Sequence, residues 1–501
     1  MRAKWIRVIA IILAFGVAGC GASRTVKKNS VKSIRNVAIV SVYCPAAITI
    51  DNQRQAVGFH AVDAAVQAAR RAFTGWSRTT RDERLDLLLA LREEYKRRIP
   101  RIAEAMTTEV GIPRGLAAGG QALAGASHLR EAAEALRSFP LEQDWGSTRI
   151  RREPVGVCAL LAPWNWPMNQ VTCKVAPALA AGCTMVLKPS RLASLSALVF
   201  AEAVDAAGVP AGVFNMLNGA GSALGKAFAV HPEVDMVSLT GSTAVGGAVG
   251  VAAAPSIKRV SLELGGKSAN IVFGDVDVPK VVRAGTLAVM HNSGQTCNAP
   301  TRMLVAREIY DEAVEIAART ADSVVVGDPR DTATFMGPVA GRRQYERVRG
   351  YIEGGIREGA RLVAGGLARP DGLDKGFYIR PTVFADVSAD MRVFREEIFG
   401  PVLCMTPFRD EDEAIELADA TEYGLSGYVQ SADLERARRV ASRLRTGMVH
   451  LNGAPTDAAA PFGGYRKSGN GREWGVFGLE EYLEVKAVMG WSPPRRVWPQ
   501  R

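Results

Sequence analysis

Strand and helix signals alternate along most of this 501-residue chain, and that alternation constrains its fold more than any other feature. "GCTMVLKP" reads as a short buried strand ending at proline, and "SALVFAEAVDAAG" after it reads as a helix. "VFNMLNG" (strand), "SALGKAFAVH" (helix), "VDMVSLTGS" (strand) and "IKRVSLELGG" (strand) continue the series. Repeated strand–helix–strand units with near-continuous apolar strands require a parallel sheet covered on both faces. A second α/β stretch runs from about Asn270 to Gly447, and a Gly/Pro-rich segment, Asn452–Gly471, reads as a long ordered loop. Upstream, "VDAAVQAARRAFTGW" puts Val62, Ala65, Val66, Ala69 and Phe73 on one helical face. Arg81–Ile99 and Pro113–Arg137 read as further helices, and "STRIRREPVGVCALLAPWN" changes to strand periodicity.

A chain of this length exceeds one ordinary core, so two or three domains are expected. The composition, 48% hydrophobic and 23% charged, is that of a globular α/β protein. The net charge of +11 is concentrated in residues 1–60, which hold nine Lys/Arg and one Asp, so the remaining 441 residues are close to neutral. That placement argues against a nucleic-acid surface. Seven cysteines, with no C-x-x-C and no zinc spacing, indicate reduced thiols in a cytoplasmic setting and no metal site. The amino end conflicts with this: Arg2, Lys4 and Arg7, an apolar run Val8–Ala18, then Cys20, have the layout of a lipoprotein-type signal. Eleven apolar residues are too few to span a bilayer, which takes about 20. Two expectations follow: a cytoplasmic protein whose residues 1–20 are a start-site artefact, or one lipid-anchored through Cys20.

Several residues could carry chemistry. Cys297 in "SGQTCNAP" lies in a Gly/Pro-punctuated loop, where backbone N–H groups and positive potential would favour a nucleophilic thiolate; a loop cysteine is otherwise more often structural. Glu263, a carboxylate in an apolar strand before Gly265-Gly266, is costly to bury, and its raised pKa would suit a general base; the bland reading is an ion pair. Asn165 in "PWNWP" could aim its amide at a developing oxyanion, or sit in a rigid turn. Gly241, Ser242 and Gly246 open a helix whose N–H groups could receive a pyrophosphate, although no G-x-G-x-x-G is present. Lys188, ending its strand, could reach a ribose or remain solvated.

In this order, "PWNWP", "KPSR", "LTGST", "LELGGKSANIVF", "NSGQTCNAPTR", "REEIFGPV" and "PFGGYRKSGNGRE" resemble the aldehyde dehydrogenase superfamily over about residues 61–490, with Glu263 and Cys297 34 positions apart. The resemblance implies oxidation of an aldehyde to its acid with NAD or NADP. Cys297 would be the nucleophile, Glu263 the base for thioester hydrolysis, and Asn165 with the Cys297 N–H the oxyanion site. It implies a cofactor bed of Trp164, Lys188, Ser190, Arg191, Gly219, Gly241, Ser242, Leu264, Glu397 and Phe399. It implies a Rossmann-like cofactor domain (61–138 and 154–264), an α/β catalytic domain (265–465) and a small bridging sheet (139–153 and 481–490) that supports a homodimer or homotetramer.

Two departures stand out. Where the family often has "KPSE", Arg191 replaces the glutamate, and an Arg near a ribose 2′ position would accept a 2′-phosphate, so NADP use is expected. The family's amino-terminal strands are not recognisable in residues 1–60, so 21–60 reads as a connector with "NVAIVSVYC" its one strong strand candidate. Two rival functions remain: a CoA-acylating dehydrogenase, against which Glu263 argues, and a membrane-tethered non-catalytic binding protein, against which the Cys297–Glu263–Asn165 set argues. Substrate selectivity is expected in loops near Met168, Cys173, 289–296 and 453–459, with Asp457 as a loop carboxylate.

Overall fold

The computed structural model describes residues 38–41, 51–219 and 221–492; the leader and Cys20 lie outside the described residues. With strands numbered in chain order, the first sheet runs β1 (Ala38–Ser41), β6 (Phe214–Asn218), β5 (Thr184–Lys188), β4 (Val157–Leu161), β7 (Met236–Thr240), β8 (Arg259–Glu263) and β16 (Gly469–Asn470). All neighbours are parallel except β16, which pairs antiparallel with β8, placing Gly469 opposite Glu263. Because side chains alternate across a strand, successive residues feed two cores. Cys158, Leu160, Met185, Leu187 and Met236 pack on one face, and Val157, Ala159, Leu161, Val186 and Val237 on the other. Each such side chain, fully withdrawn from water, contributes about 1.5–3 kcal/mol.

The second sheet runs β11 (Arg361–Ala364), β12 (Thr382–Ala385), β13 (Val402–Phe408), β10 (Arg302–Ala306), β9 (Ala269–Val272), β14 (Ser426–Gln430) and β15 (Met448–Leu451). It is parallel apart from β11, and it also divides its side chains between two cores. A third, antiparallel sheet joins β2 (Glu142–Trp145) and β3 (Thr148–Pro154) to β17 (Leu483–Val488), bringing together 139–153 and 481–490.

The strand candidate "NVAIVSVYC" contains β1, as that reading expected, and β1 adds parallel to β6. The following helix begins at Asp51 rather than Val62. On that helix Val62, Ala65, Val66 and Ala69 are buried while Phe73 is only partly so, its ring lying under Arg70. The helix expected to stop at Ile99 continues through Pro100 to Val110. Proline removes one backbone bond, but a Thr80/Glu83 capping box, a left-handed Gly111 cap and buried Ile102, Met106 and Val110 outweigh that loss. Among the described residues no helix is long and apolar enough to cross a membrane.

The first sheet delivers most of the candidate residues at one edge. Lys188 ends β5, Gly241-Ser242 follow β7, Glu263 ends β8, and Trp164-Asn165 follow β4. These are carboxyl ends of parallel strands, where the crevices of open α/β sheets lie.

Candidate active site

Cys297 sits just beyond a strained turn. After the Val278–Met290 helix, Asn292, Ser293 and Gly294 take positive φ values of 53°, 57° and 70°. Such conformations persist when surrounding contacts over-determine them. Here Asn292 Nδ2 donates to the Asn165 carbonyl at 2.9 Å, Ser293 Oγ to the Gly337 carbonyl at 2.8 Å, and the Ala340 N–H to Gln295 Oε1 at 2.9 Å. A Cβ on Gly294 would fall 2.0 Å from the Gly400 carbonyl oxygen. Next to the cysteine, Trp166 Nε1 donates to Thr296 Oγ1 at 3.0 Å, and the Tyr428 hydroxyl donates to the Asn298 carbonyl at 2.8 Å. The thiol is thereby held on a rigid support.

Cys297 is half-buried, whereas Cys158, Cys173, Cys183 and Cys404 are buried; none of the five is in a disulfide. The expectation of a favoured thiolate is corrected here. Burial, then the charges of Glu397 and Glu263, push the thiol up to about 12, and the N–H groups of Asn298 and Cys297 offset this only in part. The thiol therefore needs a base.

Glu263 is 2% exposed, and neither carboxylate oxygen has a hydrogen-bond partner among the described residues. It forms none of the ion pairs found among those residues, so the bland reading fails. Burial, then Glu473, hold its pKa well above the usual carboxylate range, while Lys174 and Arg472 pull it down. Space for the carboxylate comes from Gly463, at φ 155°, where a Cβ would lie 2.7 Å from Glu263 Oε1.

Two further residues belong to this centre and were not singled out from sequence. Lys174 is fully buried in the Pro167–Ala181 helix and forms an ion pair with Glu473, which also accepts from Cys173 Sγ at 3.2 Å. Lys174 Nζ also meets Ser238 Oγ at 3.1 Å. A lysine as the one charged residue in the middle of this helix was the signal available for it. Asn165 is buried and donates through Nδ2 to the Gln295 carbonyl at 3.0 Å, so one amide hydrogen is engaged by the backbone two residues before Cys297.

Across the sheet edge, Phe399 has φ 61° and meets Trp164 edge-to-face at 5.5 Å. The Gly266 N–H donates to Glu397 Oε1 at 3.1 Å, and burial raises Glu397 to about 7. Lys188 is buried, and burial, then the Arg191 charge, lower it to about 8. Arg191 is exposed in the Arg191–Ala193 turn, where Ser190 Oγ is used as a cap, accepting from the Leu192 N–H at 3.2 Å. Ser242 caps the Thr243–Ala253 helix. Gly246 lets that helix approach β8, since a Cβ there would lie 2.6 Å from Leu264. Gly219 lies half-buried directly after β6, and Gly241 is half-buried after β7.

A cleft of about 290 Å³ opens on the other side of Cys297, lined by Trp166, Asn169, Thr296, Phe462 and Trp474 among others. The expected selectivity positions divide. Thr296, Thr456 and Ala458 line the cleft. Met168, Cys173 and Val289 are not loop residues: they are buried in the Pro167–Ala181 and Val278–Met290 helices and do not line it. Asp457 is exposed, caps its own turn by accepting from the Ala459 N–H at 2.9 Å, and is not among the cleft-lining residues, although its neighbours Thr456 and Ala458 are.

Residues 34–488 match the profile of the Aldehyde dehydrogenase family, so the match begins inside the segment read as a connector. A 3-succinoylsemialdehyde-pyridine dehydrogenase from a Pseudomonas species is 56% identical over 86% of this chain and 91% of its own length. Among solved structures, aldehyde dehydrogenase C of Pseudomonas syringae, a variant in complex with NAD+ and octanal, is 50% identical with a TM-score of 0.86, covering 87% of this chain and 90% of that one. The aldehyde dehydrogenase of Bartonella henselae is 46% identical with a TM-score of 0.84, covering 86% of this chain and 91% of that one. An NAD+ complex of the Bacillus cereus enzyme is 38% identical with a TM-score of 0.83, covering 86% of this chain and 88% of that one. With a profile match over most of its length and relatives this close, the chain belongs to the aldehyde dehydrogenase family, and its two seven-stranded sheets and small third sheet are that family's fold.

Proposed function

We propose that this protein oxidises an aldehyde to the carboxylic acid through a covalent intermediate on Cys297, using a nicotinamide dinucleotide. The observation that carries this reading is a half-buried thiol on a rigid turn with a buried, unpartnered carboxylate, Glu263, within its electrostatic reach. Such a carboxylate, held above its ordinary pKa, can accept a proton near neutrality. Cys297 Sγ gives up its proton and bonds to the aldehyde carbon. The oxyanion so formed is stabilised by the remaining Asn165 amide hydrogen and the Cys297 N–H.

The residues at the sheet edge fit a dinucleotide: Lys188 is buried with no hydrogen-bond partner among the described residues, and the Thr243–Ala253 helix presents its N-terminus beside Ser242. In this proposal Lys188 and Glu397 bind ribose hydroxyls, and Ser190, Gly219, Gly241, Ser242 and Leu264 border the phosphate and adenine region. Trp164 and Phe399 flank the ring end. When bound, the coenzyme supplies the acceptor for the hydride whose loss turns the thiohemiacetal into a thioester. Glu263, once it has released the first proton to solvent, takes a proton from the water that attacks the thioester carbon; the carbon–sulfur bond breaks and that proton passes to the sulfur to return the thiol.

NAD binding is supported by the NAD+ complexes among the structural neighbours. Arg191, exposed and close enough to act on Lys188, supports NADP use as well. The third sheet is the proposed contact for a homodimer or homotetramer, and a cytoplasmic location suits the reduced cysteines. A relative named for a pyridine-bearing semialdehyde makes such compounds the first substrates to try. The test is turnover of aliphatic, aromatic and semialdehyde substrates with NAD+ and NADP+, with and without CoA. Acid formation without CoA, lost in Cys297→Ala, is expected. A strict CoA requirement would establish the acylating alternative, and full activity in Cys297→Ala would overturn the nucleophile.

A further inference from the structure

The cleft beside Cys297 combines the aromatic side chains of Trp166, Phe462 and Trp474 with uncharged polar ones, and no Asp, Glu, Lys or Arg is among the residues lining it. Trp166 stands at its reactive end, tied to Thr296 beside the cysteine. Trp474 packs at 4.4 Å from Phe462 and at 4.9 Å from His128, so three rings form a continuous wall. Trp474 holds this place with φ 73°, a conformation that a bulky residue keeps only when its surroundings enforce it.

Ser127, Gln170, Thr296, Asn298 and Thr456 add polar groups to the lining, and His128 and Asn169 form a hydrogen-bonded pair within it. His128 is buried, and burial keeps its ring neutral. Its Nε2–H donates to Asn169 Oδ1 at 2.7 Å. That bond uses the amide oxygen of Asn169 and leaves its NH2 group, which has no protein acceptor among the described residues, as the donor for whatever fills the cleft. A carboxylate in this cleft would find no cation among the lining residues to offset its desolvation.

We propose that this cleft selects a flat aromatic aldehyde that bears no carboxylate and carries a hydrogen-bond acceptor, a ring nitrogen or a carbonyl, with His128 orienting Asn169 to read that acceptor. The proposal rests on the reading of Cys297 as an aldehyde-oxidising nucleophile, and it names a specificity determinant that this reading leaves open. The aromatic body stacks on Trp474 and Phe462, the acceptor takes the Asn169 N–H, and the aldehyde end reaches Cys297.

The test is kcat/KM with NAD+ for the full-length protein on 3-phenylpropanal, 3-(pyridin-3-yl)propanal, octanal and succinic semialdehyde. The pyridyl compound is expected to exceed its phenyl isostere about fivefold, the effect of one neutral hydrogen bond. Succinic semialdehyde is expected to fall at least about a hundredfold below it. In Asn169→Leu the pyridyl-to-phenyl ratio should drop to about one, and His128→Phe, which releases the Asn169 amide to rotate, should lower the same ratio. Equal pyridyl and phenyl values in the wild-type protein, a ratio that persists in Asn169→Leu, or preference for succinic semialdehyde would each overturn the proposal while oxidation of octanal leaves the dehydrogenase reading standing. Failure to oxidise any of the four would overturn both.

Discussion

Lys174 and Glu473 lie 299 residues apart in the chain and form an ion pair that is almost completely withdrawn from solvent, within electrostatic reach of Glu263. Burial does most to raise the pKa of Glu263; Glu473 raises it further and Lys174 lowers it, so the pair tunes the proton affinity of the proposed base. Breaking it from either side should therefore move the acid limb of the pH–kcat profile in opposite directions. Glu473→Gln removes the raising charge and should shift that limb to lower pH; Lys174→Met should shift it to higher pH. Each variant leaves one buried charge unpaired and should cost about 3–5 kcal/mol in denaturant unfolding. Identical pH profiles in both variants would show that the pair acts on stability alone.

Alkylation gives a direct view of the thiol. A group pushed up to about 12 is almost entirely protonated at neutral pH, and its reactive thiolate increases with every rise in pH toward that value. Iodoacetamide labelling of Cys297 in the coenzyme-free protein should accelerate about tenfold per unit between pH 7 and 10, with mass spectrometry locating the adduct. A plateau below pH 9 would show a thiolate stabilised by something other than the groups described above.

If Glu263 takes the proton of Cys297 as well as that of the hydrolytic water, Glu263→Gln should slow both steps. Rapid mixing is expected to show the burst of reduced coenzyme and the steady state falling together, by about 10²–10⁴-fold. A burst of one equivalent per site at the wild-type rate, followed by a slow steady state, would confine Glu263 to hydrolysis.

Arg191 is exposed, so changing it should leave the fold intact. In Arg191→Glu the ratio of kcat/KM for NADP+ to that for NAD+ should fall at least about tenfold, because a carboxylate repels the 2′-phosphate that the guanidinium attracts. An unchanged ratio would show that Arg191 turns away from the ribose.

Much of this protein was legible because its signals are local. A buried parallel strand needs only a short apolar run, and β4, β5, β6 and β7 fall where such runs end at Gly, Pro or Asn. The pieces of the third sheet, far apart in the chain, were found through family resemblance rather than periodicity. Less legible were features whose stability comes from outside their own segment. Pro100 inside a helix is tolerated through caps and burial on either side of it. Met168 and Cys173 look like part of a Pro-bounded loop until the helix that contains them is buried on all sides.

By itself the sequence determined the α/β class and the order of the motifs, because strand and helix periods and turn residues act over a few neighbouring positions. It also marked Cys297 and Glu263 as chemically anomalous for their surroundings. Only the tertiary structure decided their electrostatics. The charge state of a buried group depends on what the fold packs around it, and here burial, then Glu397 and Glu263, raise the Cys297 thiol that its loop was expected to activate. The same holds for the cleft: the His128–Asn169 bond and the Trp474 wall join residues from three separate segments, and no local pattern records such a meeting.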